Sequence, residues 1–394
     1  MNIMRSARQA AKAMAVTLYR VFNSILPVRS KRIVFSSSLG KSYSGNPRAI
    51  YERMVSEGLD KKYDCIWFYE SDPYDIDGCN KQVKYGRIRY LYYMVTAKFW
   101  IFDARQPEFL RKRDRVVYLQ TWHGTPLKKL GLDMDNVFMA GETDIDSYHD
   151  SFRRNAATWD YLISQNPFSS EVFRRAFAFS GKMLETGYPR NDVLFEGNSQ
   201  YNIINIKEQL GLPADKKIIL YAPTWRDDEA SGIGRYRFSS ALDIDSLKEE
   251  FEGDMVLVIK YHYLVNDNTD WSAYKGFVYM FDQSVDIASL YIVSDMLVTD
   301  YSSVMFDYSL LGKPMYFYCY DLERYKNELR GFYFDFENSA PGPISTTTDE
   351  LIEDIKQCRE QEYVDRYDAF ARMYNPWDDG NASHKVIKEV LGIE

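Results

Sequence analysis

The chain has 394 residues, of which 45% are hydrophobic and 27% are charged, and its net charge is −8. These values exclude a disordered chain and favour two globular domains, each with its own core. The four cysteines, Cys65, Cys79, Cys319 and Cys358, form no CxxC pair, which argues against a disulfide framework and against a thiolate metal site.

The N-terminal segment, residues 1–30, is basic. No Asp or Glu precedes Glu52, whereas nine Lys and Arg residues do, so the remainder carries −17, the difference between −8 and +9. Apolar residues recur at helical spacing in this segment, at Ile3, Ala7, Ala10, Met14, Leu18, Val21 and Ile25. The pattern predicts a basic amphipathic helix that lies on an anionic membrane surface. Packing of this helix on the protein's own body is the alternative.

The same segment is not predicted to span the bilayer. A spanning helix requires about 20 apolar residues, and Arg20 interrupts the only candidate run. No small-residue cleavage site follows, so we do not expect a removed signal peptide. The expected location is therefore peripheral, on the cytoplasmic face of the cell membrane.

Residues 31–205 alternate between strand and helix patterns and are predicted to form the first domain. Apolar segments such as "RIVFSSS", "YDCIWFY", "AKFWIFD" and "RVVYLQTW" predict strands, and "WDYLISQ" and "KMLETGY" predict two more. "NPRAIYERMVSEG" and "SSEVFRRAFAF" predict helices between them. This alternation is typical of a parallel sheet covered by helices.

Residues 206–394 repeat the pattern and are predicted to form the second domain, closed by a C-terminal helix. The expected strands are "KIILYAP", "MVLVIKY", "FVYMF", "DMLVTDY" and "PMYFYCY", which are short and apolar, as central parallel strands are. The predicted fold class is α/β, with two doubly wound Rossmann-like domains facing each other. Ligands are expected at the carboxyl ends of the strands.

Two of the four histidines directly follow predicted strands, one in each domain. His123 lies in "QTWHGTPLKKLG" and His262 in "VIKYHYLV". A cleft between the domains would bring the two imidazoles together, so we predict a functional role for both. Imidazole is suited to proton transfer because its ordinary pKa is about 6.5.

A second group of candidates lies in "VTDYSSVMFDYSLLGKP", where a strand ends at Thr299 and a helix follows. The free N–H groups of a helix start, its positive dipole end and the hydroxyls of Ser302 and Ser303 would all face one point, which suits a phosphate. Simple helix capping by Asp300 or Ser302 is the structural alternative. Asp307, one turn further, could accept a hydrogen bond from a ribose hydroxyl.

Further basic residues follow other strands. In "YAPTWRDD", Pro223 and Thr224 shape a turn and Arg226 offers a planar guanidinium to phosphate oxygens, or else forms a surface ion pair with a following aspartate. Lys260 should point to the same side as His262, since side chains alternate along a strand. Arg190 lies in "ETGYPRND". Together these groups predict a nucleotide diphosphate site that needs neither a P-loop nor a metal ion.

In several motifs the sequence resembles the CDP-glycerol glycerophosphotransferases of teichoic acid synthesis. The motifs are "SSLGKSYSGNPRAIYE", "QPEFLRKR", "QTWHGTPLKKLG", "WDYLISQNPFSSEVFRRAF", "ETGYPRNDVL", "APTWRDD", "TDYSSVMFDYSLLGKP" and "DDGNASHKVI", in that order. Longer members carry an additional N-terminal region, so the resemblance is to a short version. It implies a GT-B-like pair of domains with the active site between them. The C-terminal domain would hold CDP-glycerol, and the N-terminal domain would hold the growing lipid-linked acceptor.

The resemblance also implies roles for individual residues. The two essential histidines of the family correspond to His123 and His262, and the donor-contacting positions to Arg190, Pro223, Thr224, Ser302, Ser303 and Asp307. Lys260 stands where the family more often has arginine, which keeps the charge but not the planar fork. We further expect donor or phosphate contacts from Trp122, Gly124, Thr125, Pro126, Arg226, Lys260, Thr299 and Asp300. Acceptor contacts are expected from Ser44, Asn46 and Lys128.

The implied reaction is transfer of glycerol phosphate from CDP-glycerol to a hydroxyl of an undecaprenyl-linked glycerophosphate acceptor, with release of CMP. His123 is expected to be the general base, and His262 to stabilise charge on the diphosphate, although the two roles could be exchanged. The predicted partners are CDP-glycerol, this acceptor and the membrane surface, with no nucleic acid, metal or cofactor.

Four alternatives remain open from the sequence. CDP-ribitol could replace CDP-glycerol as the donor, and the product could be a capsule polymer instead of wall teichoic acid. A nucleotide-sugar glycosyltransferase or a polymer-binding module without activity would use the same fold. The sequence does not indicate whether one unit or many are added, nor the oligomeric state.

Overall fold

A computed structural model describes residues 2–136, 144–224, 230–232, 235–237, 241–261, 265–266, 270–282, 284–324, 331–357 and 360–393. Two parallel sheets with covering helices dominate this part of the chain, which confirms the predicted α/β class at that level. Every strand pair within these two sheets is parallel.

The first sheet has seven strands in the described residues, in the order β3-β2-β1-β4-β5-β6-β7. Its strands are β1 Arg29–Ser36, β2 Asp64–Tyr69, β3 Asn80–Lys84, β4 Ala97–Phe102, β5 Val117–Gln120, β6 Tyr161–Ser164 and β7 Lys182–Glu185. The helices of this half are α1 Asn2–Ile25, α2 Gly45–Ser56, α3 Ile88–Thr96, α4 Ile145–Ala156, α5 Pro167–Ala176 and α6 Asp192–Glu196. The strand β3 and the helices α3 and α4 were not predicted from the sequence.

The second sheet has the order β13-β11-β8-β14-β15-β16, and the described residues also form a small sheet, β12-β10-β9. The strands are β8 Lys217–Ala222, β9 Ala230–Gly232, β10 Arg235–Arg237, β11 Met255–Ile259, β12 Val265–Asn266, β13 Val278–Met280, β14 Met296–Thr299, β15 Met315–Tyr318 and β16 Ile344–Ser345. The helices are α7 Gln200–Gln209, α8 Ile244–Phe251, α9 Ile287–Val293, α10 Val304–Tyr308, α11 Leu322–Arg324, α12 Phe336–Ser339, α13 Thr348–Gln357, α14 Glu360–Tyr374 and α15 Ala382–Leu391.

Each large sheet separates two apolar clusters because successive side chains of a strand point to opposite faces. In β1, Val34 packs in one cluster and its neighbours Ile33 and Phe35 in the other. In β8, Leu220 and Tyr221 divide in the same way. Burial on both faces explains why these strands read as continuous apolar runs.

The predicted division between the two domains lies at residues 205 and 206. That boundary falls inside α7, which packs against α9 of the second domain. The last helix, α15, returns to the first domain, where Val386, Ile387 and Val390 are buried in the cluster on one face of the first sheet. The C-terminal helix therefore packs on the first domain, beside α2.

The N-terminal helix α1 has two apolar faces in its described side chains. Tyr19 is buried against α3, and its hydroxyl donates to the Arg111 carbonyl over 2.8 Å. Met14, Val21 and Ile25 point away from the body and are 62%, 46% and 67% exposed. The alternative of packing on the body thus describes one face of this helix, to which Leu18 of the predicted stripe belongs. Met14, Val21 and Ile25 of that stripe lie on the other face. Among the described helices, none combines the length and hydrophobicity needed to cross a bilayer.

Candidate active site

The loop that carries His123 leaves the first sheet at the end of β5 and is held by side-chain amides. The Gln120 side chain accepts from the Trp122 N–H over 3.0 Å. Asn46, which is 1% exposed, donates to the carbonyls of Thr121 and Trp122, both over 3.1 Å. These bonds hold Trp122 in the left-handed region, at φ 53°, which a residue with a side chain rarely adopts. The main chain that leads into His123 is therefore fixed by these side chains.

The His123 ring has one defined tautomer. Its Nδ1 lies 3.1 Å from the main-chain oxygen of Asp103, which can only accept, so Nδ1 carries the proton and Nε2 keeps a free lone pair. The ring stacks on Trp122 with centroids 4.4 Å apart, and the residue as a whole is exposed. Desolvation by the surrounding protein lowers the pKa of His123 below its usual value; the bond to Asp103 opposes this shift, and the nearby Arg190 cation adds to it. A neutral imidazole with a free Nε2 is suited to take a proton.

Arg190 connects the two domains beside His123. One guanidinium nitrogen donates to the His123 carbonyl over 2.6 Å, and another forms a 2.6 Å ion pair with Asp307 of α10. Asn191 donates to the second oxygen of Asp307 over 3.1 Å. Both carboxylate oxygens of Asp307 thus already accept from side chains of the first domain. Asp307 holds Arg190 in place in addition to any contact that it makes with a ligand.

The second-domain face of the site is formed at the ends of β8 and β14, which are neighbours where the strand order reverses. The Asp300 carboxylate accepts from the Thr224 N–H over 2.8 Å, and Thr299 donates to the Ala222 carbonyl over 2.7 Å. Pro223, between them, is buried. In doubly wound sheets this switch point is where ligands bind.

Ser302 and Ser303 lie at the start of α10, against the His123 loop. A Cβ atom added at Gly124 would lie 2.9 Å from the Ser303 hydroxyl oxygen, so the two loops are already in contact. Ser303 makes no capping hydrogen bond through its side chain, and the Ser302 hydroxyl lies 3.4 Å from the Val304 N–H. The helix α10 ends at Tyr308, and a 3-10 turn over Ser309–Leu311 follows.

Lys260 lies at the end of β11 and is bonded to the protein main chain. Its ammonium group donates to the carbonyls of Asp282 and Val285, the latter over 2.8 Å. Burial lowers the pKa of Lys260 to about 8, a shift that the nearby Asp286 and Asp282 carboxylates oppose. The predicted partner residues His262 and Arg226 lie outside the described residues.

The residues expected on the acceptor side occupy different surroundings. Besides its bonds to the His123 loop, Asn46 accepts from the Arg190 N–H over 3.1 Å, so it joins α2 to both loops. The Ser44 hydroxyl lies 2.8 Å from that of Ser42. Lys128 pairs with Phe332 in a β-bridge between the domains.

A buried amide network, not predicted from the sequence, links Thr125 to the second domain. Thr125 donates to the Gln165 side chain over 2.7 Å, and Gln165 donates to Asn375 over 2.7 Å. Asn375 in turn donates to the Phe306 carbonyl in α10 over 2.8 Å. Pro126 follows Thr125 and is also buried. The only sequence signal was that Gln165 follows a strand, which identifies no partner 210 positions away.

A cavity of about 270 Å³ adjoins Arg190 on the side of α2. Its walls include Arg48 and Glu52 of α2, Asp286 and Ser289 at the start of α9, and Ser383 of α15. Arg48 and Asp286 form a 3.1 Å ion pair from one domain to the other. Within the described residues, no group of three His, Cys, Asp or Glu side chains is placed to hold a metal ion.

Comparison with known proteins gives a consistent result. The family model described as CDP-Glycerol:Poly(glycerophosphate) glycerophosphotransferase matches residues 18–392. A teichoic acid poly(glycerol phosphate) polymerase of Bacillus spizizenii is 43% identical over 97% of this chain and 98% of its own length. A teichoic acid glycerol-phosphate transferase of Staphylococcus aureus is 41% identical over 95% of this chain and 97% of its own length.

A solved structure of the wall teichoic acid polymerase TagF is similar throughout. It superposes with a TM-score of 0.88 and 38% sequence identity, and the match covers 99% of this chain and 96% of the TagF chain. A histidine-to-asparagine variant of TagF soaked with CDPG matches with a TM-score of 0.89.

Proposed function

The chain belongs to the CDP-glycerol:poly(glycerophosphate) glycerophosphotransferase family and is an enzyme of that class, and from that premise we propose its substrates and the roles of its residues. It transfers glycerol phosphate from CDP-glycerol to the terminal hydroxyl of a lipid-linked teichoic acid acceptor and releases CMP. The contact between the His123 loop and Ser303 carries the proposal, because it brings a base and a phosphate site together across the cleft of a GT-B-like pair of domains.

The chemical step follows from the free Nε2 of His123. The acceptor oxygen attacks the phosphorus that bears glycerol, its proton passes to Nε2, and the bond from that phosphorus to the bridging oxygen of CMP breaks. General-base assistance of this kind contributes about 10²–10⁴-fold to a rate. The lowered pKa of His123 keeps the ring neutral and able to accept the proton near neutral pH. Because His262 is not described, an exchange of roles between the two histidines is tested with the variants discussed below.

The donor diphosphate lies between the start of α10 and Arg190. Ser302 and Ser303 offer hydroxyl groups there, at the start of α10. Arg190 adds a positive charge within reach of the His123 loop. Lys260, with one N–H beyond its two carbonyl partners, and the predicted groups Arg226 and His262 complete the neutralisation of charge on the leaving CMP.

The acceptor is held at the membrane by its lipid, and the exposed face of α1 brings the enzyme to the same surface. Met14, Val21 and Ile25 would enter the apolar boundary of an anionic bilayer, with the Arg and Lys residues of the segment near the headgroups. This arrangement supports a peripheral position on the cytoplasmic face of the membrane. The opposite face of α1 remains packed on α3 through Tyr19.

Replacement of Met14, Val21 and Ile25 by serine tests this membrane contact without removing Tyr19 from the core. We expect the triple variant to lose flotation with anionic vesicles while its turnover of a soluble acceptor is retained. The matched control replaces Tyr201 and Ile204 of α7, which are 74% and 49% exposed, by serine. Unchanged flotation of the α1 variant, or equal loss in the α7 control, would contradict the assignment.

The donor and the reaction are tested by separate incubations with CDP-glycerol and CDP-ribitol in the presence of a lipid-linked glycerophosphate acceptor. We expect CMP release and stepwise lengthening of the product by glycerol phosphate, measured by mass spectrometry, with CDP-glycerol only. Lengthening with CDP-ribitol would assign the ribitol reaction instead. Transfer of a sugar from a nucleotide sugar, with no CMP formed from CDP-glycerol, would refute the proposal.

A further inference from the structure

The strand order of the first sheet reverses between β1 and β4, so this sheet has a switch point of its own. Ser37 and Ser38 follow β1 there, and Asp103 follows β4. His123 leaves the neighbouring strand β5 and bonds to Asp103. The place where this fold class binds ligands in its first domain is thus adjacent to the base.

The turn after β1 has an unusual backbone. Ser38, Leu39 and Gly40 all lie in the left-handed region, with φ of 48°, 58° and 87°. Side chains disfavour this conformation, and a run of such residues persists only where its surroundings hold it. Local strain of this kind concentrates at ligand sites.

Two anchors hold the turn in place. On one side, the Gly40 carbonyl accepts from the Glu70 N–H over 2.7 Å and from the Tyr74 hydroxyl. A Cβ atom at Gly40 would lie 3.1 Å from the main chain of Tyr69 and Glu70, so this contact requires glycine. On the other side, the Asp103 carboxylate accepts from the Ser38 N–H over 2.8 Å.

Asp103 therefore binds the turn through its side chain and His123 through its main chain. It is 7% exposed, and burial raises the pKa of its carboxyl to about 7, an effect that the Ser38 N–H and Arg190 oppose. Burial of an ionisable group without an ion pair is costly, and such groups are kept where they have a function.

We propose that the turn Ser38–Gly40 forms the wall of the acceptor subsite, and that Asp103 is the positioning residue that fixes this wall relative to His123. The ligand is the terminal glycerol phosphate unit of the acceptor, so the inference rests on the proposed function. The wall limits where the attacking hydroxyl of the acceptor lies. Asp103, which holds the wall, also orients the His123 imidazole that takes the proton of this hydroxyl. The donor lies on the other side of the cleft and makes no use of this turn.

Separate Michaelis constants for acceptor and donor test the proposal. Asp103→Ala removes the acceptor of the Ser38 N–H, and Gly40→Ala forces the turn away from Glu70. Because small misplacements of a reacting group are costly, we expect both variants to raise the KM for a soluble acceptor by about tenfold or more, with the KM for CDP-glycerol within about twofold. Asp103→Asn keeps an oxygen for the Ser38 N–H and should restore the acceptor KM to within about threefold of the unchanged enzyme.

Gly58→Ala is the matched control, since Gly58 also has a left-handed φ of 67° but nothing lies within 4 Å of an added Cβ. It carries the same backbone strain and should leave both constants unchanged. If acceptor and donor KM rise together in Asp103→Ala, or if neither moves in Gly40→Ala, the proposal is overturned. Absence of CMP release from CDP-glycerol by the unchanged enzyme would instead refute the proposed function, so the two failures are distinguishable.

Discussion

The cleft has a first face, formed by the His123 loop of the first domain, and a second face, formed by Ser303 and Lys260 of the second domain. The two faces hold their polar groups in different ways. On the first face, His123 has a fixed tautomer, a stacked ring and a loop held by Gln120 and Asn46. On the second face, Ser303 makes no capping bond through its hydroxyl, and Lys260 is bonded only to main-chain carbonyls among the contacts described above. The polar groups of the first face are held by protein partners, whereas the second face offers hydrogen-bond donors that a phosphate could use.

This difference is expected for a transferase in which a base acts from one domain on a donor held by the other. A base must be oriented before the reaction, because misorientation reduces the rate directly. A phosphate site benefits from donors that are not satisfied within the protein, since the ligand then supplies the missing acceptors. Substitution of the base on the first face should therefore affect kcat most, and substitutions on the second face should affect donor binding most.

The largest effect is expected for His123→Gln. It removes the Nε2 lone pair while a side-chain amide still reaches the Asp103 carbonyl, so kcat should fall by about 10²–10⁴-fold with little change in the donor KM. CMP release under saturating donor measures it. His149→Gln is the control, because His149 bonds to the Met134 carbonyl outside the cleft. A kcat within tenfold of the unchanged enzyme would assign the base elsewhere, and His262→Gln would then be the variant with the larger loss.

How much of this site was predictable from the sequence depends on the distance over which its residues interact. His123 and Ser302–Ser303 were identifiable because each directly follows an apolar run that reads as a buried strand. The carboxyl ends of parallel strands lie at one edge of a sheet, so residues that follow these strands are expected at that edge. This expectation needs no knowledge of the contacts that the residues make. The fold class was predictable for the same reason.

The connections between these groups were not predictable. Asp103 follows a strand as His123 does, but the bond from its main-chain oxygen to the imidazole has no sequence pattern. The pairing of Gln165 with Asn375 and the return of α15 to the first domain depend on tertiary packing across most of the chain. Local periodicity does not report such contacts.

A smaller effect is expected where the two faces touch. Gly124→Ala would place a Cβ atom 2.9 Å from the Ser303 hydroxyl oxygen and 3.3 Å from its Cβ, so the hydroxyl must rotate and one loop must move by a few tenths of an ångström. We expect kcat/KM to fall by about 10–100-fold, because displacements of about 1 Å can cost 10²-fold. Gly253→Ala, where nothing lies within 4 Å, is the control. An unaffected Gly124→Ala enzyme would mean that the contact is not kept during the reaction.

Lys260 gives a pH test of the second face. Its pKa of about 8 is below the ordinary value for lysine because the ammonium group is buried, so the side chain loses its proton as pH rises through about 8. If the cation contributes to donor binding, the KM for CDP-glycerol should rise several-fold between about pH 7 and pH 9, with kcat less affected. Lys260→Arg should stay charged and flatten this rise. A donor KM that is independent of pH in both enzymes would remove Lys260 from the donor site.

The smallest effect is expected for the ion pair between Arg48 and Asp286, which crosses from one domain to the other beside the cavity next to Arg190. Both side chains are partly exposed, at 31% and 18%, so the pair should contribute only about 0.2–1 kcal/mol. Arg48→Gln and Asp286→Asn should therefore each change the donor KM by no more than about fivefold, and the double variant should show less than the sum of the two. Additive effects would mean that the two residues act independently, Arg48 as part of the first face and Asp286 as the cap of α9. If the coupling between Arg48 and Asp286 disappears at high salt, the pair is a weak electrostatic contact that helps to hold the two faces of the cleft together.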